Sequence, residues 1–246
     1  MGSVAEAKAA YGIARHTFDR VSFDLIYSRQ DQSEAAWRME LREALAMEPT
    51  HLSLYQLTIE DGTVFGARHA LGQLRGLPDE DLSSDMYLMT QEMCEAAGLP
   101  AYEVSNHAKS GQESRHNLIY WRLGDYAGIG PGAHGRLTLD GVRWATEAPK
   151  QPGAWLEAVE RRRPGELPRS TSIAADQAAE YLLMSLRLGE GSDMARFRAM
   201  SGRDLPAAKL AELVDDGFLT INGPRVSTTT AGRLLLNAIL RELLVD

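Results

Sequence analysis

The chain has 246 residues, 44% of them hydrophobic, and a net charge of −8. That length suits one large domain, or a medium domain with a small companion. The acidic balance argues against nucleic acid as a main partner, because phosphate binding rests on a cationic footprint and the densest basic run is only RRRPG at 161–165. No apolar run is long enough for a transmembrane helix. The first twenty residues hold no apolar leader core, so the expected location is the cytoplasm. The single cysteine, Cys94, sits in the helical pattern TQEMCEAAG and reads as a small buried apolar residue. One thiol makes no disulfide framework and cannot hold an iron–sulfur cluster, which needs several thiolates.

In chain order, residues 4–17 read as a helix with Val4, Ala7, Tyr11 and Ala14 on one face. VSFDLIY (21–27) is a β-rich apolar run with one acid inside it. SEAAWRMELREALAM (33–47) opens on a Ser N-cap and repeats apolar residues at helical spacing. HLSLYQL (51–57) is a second strand. DEDLSSDMYLMTQEMCEAAG (79–98) is a long helix stopped by Gly98, and AYEVS (101–105) is a third strand. The alternation is that of parallel β/α units with helices on the outside of a sheet or open barrel. After residue 105 the pattern changes. A polar loop precedes HNLIYW, which can begin a short helix with Asn117 near its start. The glycine-rich GIGPGAHG (128–135) leads into a hairpin turning at Asp140-Gly141. A helix lies between proline-rich breaks at 149–168. From Ala174 onward come helices in AADQAAEYLLMSLRL, SDMARFRAM and LPAAKLAELVDDG, a hairpin around Asn222-Gly223, and a final helix, TAGRLLLNAILRELL. This winged-helix-like order suggests DNA binding. Its would-be recognition helix, 207–216, sets one lysine against three acids, so a structural cap or ligand lid is the preferred reading.

Several residues can carry chemistry. Asp24 lies in an apolar strand, where an unpaired carboxylate is costly. It therefore either pairs with a buried partner or points into the barrel toward a ligand. Ligands of parallel β/α folds gather at the C-terminal strand ends, which favours Tyr27, Ser28, Gln56, Thr58, Glu103, Ser105 and Asn106 as lining residues. His107 reads as a solvated loop histidine. GIGPGAHG permits either close approach of a cofactor or a tight packing turn, and it does not fit a dinucleotide fingerprint. His116 can ligate heme iron, and Tyr120 at i+4 shares its helix face. Trp121 adds a flat apolar surface, and a core or helix-start histidine is the alternative.

Taken together, VSFDLIY, HLSLYQLTIEDGT, the block YEVSNHAKSGQESRHNLIYWRLGDYAGIGPGAHG and the helical tail resemble the radical SAM heme chaperone (HemW) family, whose members are often labelled oxygen-independent coproporphyrinogen III oxidase-like. The likeness runs from about residue 5 to the end. It implies part of a (β/α)6 radical SAM barrel, residues 1–150, then a helical linker, 151–173, and a small winged-helix-like domain, 174–246. It implies S-adenosylmethionine and a [4Fe–4S] cluster as cofactors. Asp24 matches a carboxylate near the cofactor's ribose. Thr58, and Ala133 and His134 in the glycine-rich turn, match adenine-side or backbone contacts. The HNxxYW motif, here His116, Asn117, Tyr120 and Trp121, is the family's heme-associated motif, with His116 the candidate ligand to heme iron. The cluster motif CxxxCxxC is absent, so the chain resembles an N-terminally truncated member and is not expected to catalyse radical chemistry alone. The turn after DLIY is SRQDQ, with Ser28 and Asp31 where small turn-forming residues are usual. A missing first part would leave a strand edge at 21–27 open, and exposed apolar edges invite pairing. The partners implied are heme, a separate N-terminal barrel half or a second copy, and heme-accepting respiratory proteins. The functions to separate are heme trafficking, an oxidase-like step of porphyrin biosynthesis, and a non-catalytic remnant.

Overall fold

The computed structural model describes residues 3–161, 165–171 and 173–244, so Arg162, Arg163 and Pro164 of the basic run lie outside the described residues. The chain forms two compact units, 1–114 and 115–246. Among the described residues, no helix is long and apolar enough to cross a membrane.

The first unit opens with α1 (Val4–Thr17), capped at Ser3 by a full capping box with Glu6. Next come β1 (Ser22–Tyr27), α2 (Glu34–Ala46) behind its Ser33 cap, β2 (His51–Gln56), α3 (Val64–Ala70), α4 (Glu80–Ala96) behind Asp79, and β3 (Asn106–Ala108). The sheet order is β1-β2-β3, with β1 and β2 parallel and β1 at an edge. Strand alternation gives the sheet two unlike faces. Leu52 and Leu54 turn to one side and join Tyr27, Trp37, Leu41, Met86, Met89, Cys94 and Leu99 in the core beneath α2 and α4. Trp37 is fully buried, stacks on Tyr27 (4.9 Å, 7° between planes) and donates its indole N–H to Thr90 Oγ1 at 2.8 Å.

Three expectations are corrected here. The third strand is not AYEVS and does not run parallel: β3 is residues 106–108 and pairs antiparallel with β2. The reason is a side-chain-built turn. The Glu103 carboxylate accepts from Ser105 N (3.0 Å), Ser105 Oγ (3.3 Å) and Asn106 Nδ2 (2.5 Å), which folds 101–107 back on itself. Ala101 then bridges His107. His107 is consequently buried, because β3 sets it opposite Leu52. Tyr27 and Ser28 are also buried, Tyr27 on the helix-covered side with the core. Helix α3, which no periodicity announced, is started by the Thr63 cap on Gly66 N.

The second unit opens with α5 (Arg115–Trp121) and a hairpin of β4 (His134–Leu139) and β5 (Val142–Glu147). Its turn takes Asp140 at φ 51° and Gly141 at φ 78°, the left-handed pair of a type I′ turn. After α6 (Pro152–Glu160), β6 (Ser170–Thr171) adds to β5. Then follow α7 (Ala174–Ser185), β7 (Ser192–Asp193), α8 (Met194–Ser201), α9 (Ala207–Asp215), β8 (Leu219–Asn222) and β9 (Arg225–Thr228). Their sheet order is β7-β9-β8, a winged-helix arrangement. The wing turns at Gly223-Pro224, one residue later than read from sequence, because Asn222 still pairs with Arg225. The final helix is two: α10 (Thr230–Leu234) and α11 (Leu236–Leu244). The lone lysine of α9, Lys209, is paired with Glu212 and Glu242.

Candidate functional site

Two groups of candidate residues lie in separate units and are built by different means. In the first unit the sheet face opposite the core carries polar side chains from Asp24, Ser53 and His51, with the exposed Ile26 and Tyr55 beside them. The register places Asp24, Ser53 and Asn106 side by side across three strands, with His51 two residues earlier on β2. Asp24 is exposed, which removes the buried-partner alternative: β1 is an edge strand and Asp24 turns away from the α2/α4 core. A cavity of about 540 Å³ runs between α1, β1 and α2, and Asp24 lies on its wall with Tyr11, Phe23 and Lys8. His51 is buried, lies 2.9 Å from the Tyr102 hydroxyl through Nε2, and has no partner at Nδ1. Burial lowers its pKa. Asp24 and Glu113 pull the other way, and Arg20 adds to the lowering. Glu103 and Asn106 are 1% and 3% exposed, so Glu103 supports the face rather than lining it. Thr58 is exposed just past β2, its hydroxyl 3.4 Å from Gln56 O. Gln56 donates to Ser83 O and Ser105 lies half-buried in the Glu103 turn. Ser28 and Asp31 both take left-handed backbone, φ 56° and 57°, where turn-forming residues were expected.

In the second unit α5 carries the motif. His116 is exposed, and its ring meets Tyr120 edge-on at 5.7 Å. Tyr120 is also 4.9 Å from Trp121 and 6.3 Å from Tyr126, so four aromatic rings form one cluster. Asn117 is half-buried on the same helix. The Arg187 guanidinium lies 5.8 Å from the Trp121 ring centre, which makes Trp121 part of the packing of α5 rather than a free flat surface. The end of α5 is fixed by a two-pronged Arg122–Glu190 ion pair (2.9 and 2.7 Å) and by Arg196 donating to Arg122 O. The Arg122 hydrogen bonds hold the Glu190 carboxyl below the usual range. Just beyond, Asp125 accepts from Thr138 N, Thr138 Oγ1 and Arg143. His116 therefore projects from a braced helix.

Of the two readings of GIGPGAHG, the packing turn explains its outer glycines. A Cβ on Gly128 would stand 2.3 Å from His134 O, and one on Gly135 2.5 Å from Thr146 Oγ1. The Ala133 amide bonds to Gly130 O, and its carbonyl accepts from Ala148 N. His134 is exposed at the start of β4.

The HemN C-terminal domain family matches residues 174–235. The Escherichia coli heme chaperone HemW is 36% identical over 98% of this chain and 61% of its own length. This chain is a HemW homologue. The Haemophilus influenzae HemW is 31% identical over 99% of this chain and 62% of its own length. A mitochondrial radical S-adenosyl methionine domain-containing protein 1 from Danio rerio is 33% identical over 92% of this chain and 53% of its own length. The chain thus spans about three fifths of the HemW proteins it matches. The fold is that of the Escherichia coli coproporphyrinogen III oxidase HemN, described as a radical SAM enzyme, with a TM-score of 0.76 at 18% identity over 99% of this chain and 59% of that one. The first unit and the winged-helix part are accordingly the C-terminal portion of that architecture.

The residues fit the implied groups unequally. An exposed imidazole beside aromatic rings suits a heme iron. The polar row at Asp24 suits a hydroxyl-bearing ligand. The cluster does not fit this chain: Cys94 is its one cysteine, buried in the core, and burial pushes its thiol up to about 12, far from the thiolate a metal needs. Among the described residues no group of His, Cys, Asp and Glu is placed to hold a metal ion.

Proposed function

We propose that this chain is a heme-handling protein of the HemW type, in which His116 would ligate the heme iron. The observation that carries this reading is an exposed His116 on a braced helix, in an intact HNxxYW motif, within a chain HemW-like along nearly its whole length. An imidazole nitrogen is a common ligand of heme iron. Tyr120 fixes the ring edge-on, while Arg122 and Asp125 hold the helix end and the segment after it. Asn117 and Trp121 complete the heme face, Trp121 through packing.

In the first unit, Asp24 and Thr58 are the proposed S-adenosylmethionine contacts; Ala133 and His134, in the second unit, are candidates by the family resemblance alone. Asp24 has the firmest support, since its carboxylate is exposed on the sheet face opposite the core and can accept from a sugar hydroxyl. No step is assigned to a [4Fe–4S] cluster, whose thiolates this chain does not supply. An oxidase-like role in porphyrin biosynthesis needs that cluster, so heme handling is preferred. The proposed setting is the cytoplasm, and the proposed recipients are heme-accepting respiratory proteins.

A heme titration tests the reading. Wild type should develop a Soret band of a histidine-ligated heme, and His116→Ala should lose it or weaken binding at least tenfold. Identical spectra and affinities for the two proteins would reject the role of His116.

A further inference from the structure

The second unit holds a cavity of about 440 Å³ that is lined by none of the ligand-contact residues above. Its walls come from the β4–β5 hairpin, the segment after α5, and helices α7 and α8. Arg143 of β5 and Arg196 of α8 line it against a single acid, Asp125, so the lining is net positive. The Arg143 side chain is only 10% exposed. Its Nη1 donates to Asp125 Oδ1 (2.9 Å) and its Nη2 makes a long bond to Gly124 O (3.3 Å), while Nε has no partner. A buried guanidinium short of acceptors is costly. Asp125 cannot supply them all, because it also accepts from Thr138 N and Oγ1. Arg196 is exposed and forms no ion pair among the described residues. It is held all the same, 4.6 Å over the Tyr181 ring and donating to Arg122 O at 3.0 Å. Arg122 shows the contrast, since Glu190 closes its fork on two prongs. Neither arginine of the cavity is closed in that way. Leu123, Val142 and Met200 make the apolar part of the wall.

We propose that this cavity is a carboxylate site, in which Arg143 and Arg196 together hold a carboxylate borne on a short apolar stem. The carboxylate accepts from both guanidinium groups, and the stem lies against the apolar wall. Both cations are fixed before the ligand arrives, which lowers the ordering cost of binding. Asp125 is a positioning residue that holds Arg143 in the wall. Two sources carry this chemistry: a propionate side chain of heme, and a free short-chain carboxylic acid. The cavity adjoins the helix of the HNxxYW motif, because Arg196 binds the Arg122 carbonyl just past α5 and Leu123 follows in the wall. The inference stands apart from His116 as iron ligand, and that reading bears only on which source is used.

The test is titration of the whole chain with sodium propionate and with propionamide, its neutral isostere, at constant ionic strength, followed by ligand-detected NMR. Wild type should bind propionate and discriminate against the amide. Arg143→Gln and Arg196→Gln should each weaken propionate about tenfold, the size of one lost hydrogen bond to a charged group. Arg143 also braces Asp125, so Arg196→Gln, which breaks no ion pair, decides the matter if Arg143→Gln fails to fold. Circular dichroism and thermal melting establish that each variant is folded. Equal binding of acid and amide, no binding of propionate, or an unchanged propionate affinity in Arg196→Gln would overturn the inference. Propionate binding involves no iron, so its failure and that of the His116 reading are distinguishable. A second titration, of heme against heme dimethyl ester, identifies the source. Weaker heme but unchanged ester binding in Arg196→Gln supports a heme propionate as the occupant. No change in either, with propionate still dependent on Arg196, supports a free carboxylic acid in the same site.

Discussion

At the scale of single residues, the site face is governed by burial set against charge. His51 shows this most directly. Its pKa is lowered in the folded chain, first by burial, with Arg20 adding to the effect and Asp24 and Glu113 opposing it. An unfolded histidine titrates near about 6.5. Below that pH the unfolded chain takes up a proton that the folded chain resists, so the unfolded state binds more protons and stability rises with pH. The contribution is complete above about 6.5 and is lost as pH falls toward the lowered folded value. Denaturant melts between pH 7.5 and 5 should show this loss, and His51→Gln should flatten it. An unchanged slope in His51→Gln would mean that other groups carry the dependence. Asp24 shows the limit of reading residues from sequence. An acid in an apolar strand was legible as unusual. Whether it faced a buried partner or a ligand was not, because alternation alone does not say which face the helices cover.

At the scale of elements, capped helices and tight turns were legible because their signals are local. Ser33, Gly98 and the Asp140-Gly141 pair each act within a few residues of where they stand. The third strand failed for the opposite reason. AYEVS has a strand's composition, yet the Glu103 carboxylate gathers three nearby donors and makes a turn that no hydrophobic period encodes. Two substitutions probe element packing. Trp37→Ala removes the ring stacked on Tyr27 and the bond to Thr90, and should cost about 3–5 kcal/mol in a denaturant melt. A cost below about 1 kcal/mol would contradict its place at the centre of the core. In the glycine-rich turn, Gly135→Ala would press a methyl against Thr146 Oγ1 and the Gly128 amide. It should lose about 1–3 kcal/mol. Gly12→Ala, in α1 with open space around it, should be neutral or gain up to about 1 kcal/mol. Equal effects at the two positions would refute the close backbone approach at residue 135.

At the scale of the whole molecule, the chain is the HemW-like portion of a radical SAM architecture in two compact units, with β1 at a sheet edge in the first. The family was legible because its motifs are contiguous and specific. The partition at 114/115 was not, since the long EVSN-to-GAHG block runs across it without a compositional break. The two proposed ligands draw on different chemistry: an imidazole on a helix for iron, and a carboxylate on a sheet for a sugar. The acidic winged-helix part, with Lys209 of α9 held between Glu212 and Glu242, offers that helix no free cation for phosphate. The central claim is that iron is held by His116 rather than by another imidazole. The chain has six histidines, at positions 16, 51, 69, 107, 116 and 134, which makes the comparison finite. The most direct measurement is heme titration of six single His→Ala variants under reducing conditions, read at the Soret band. Loss of the histidine-ligated spectrum in His116→Ala alone is the predicted result. Its survival there, or an equal loss in another of the six, would contradict the assignment.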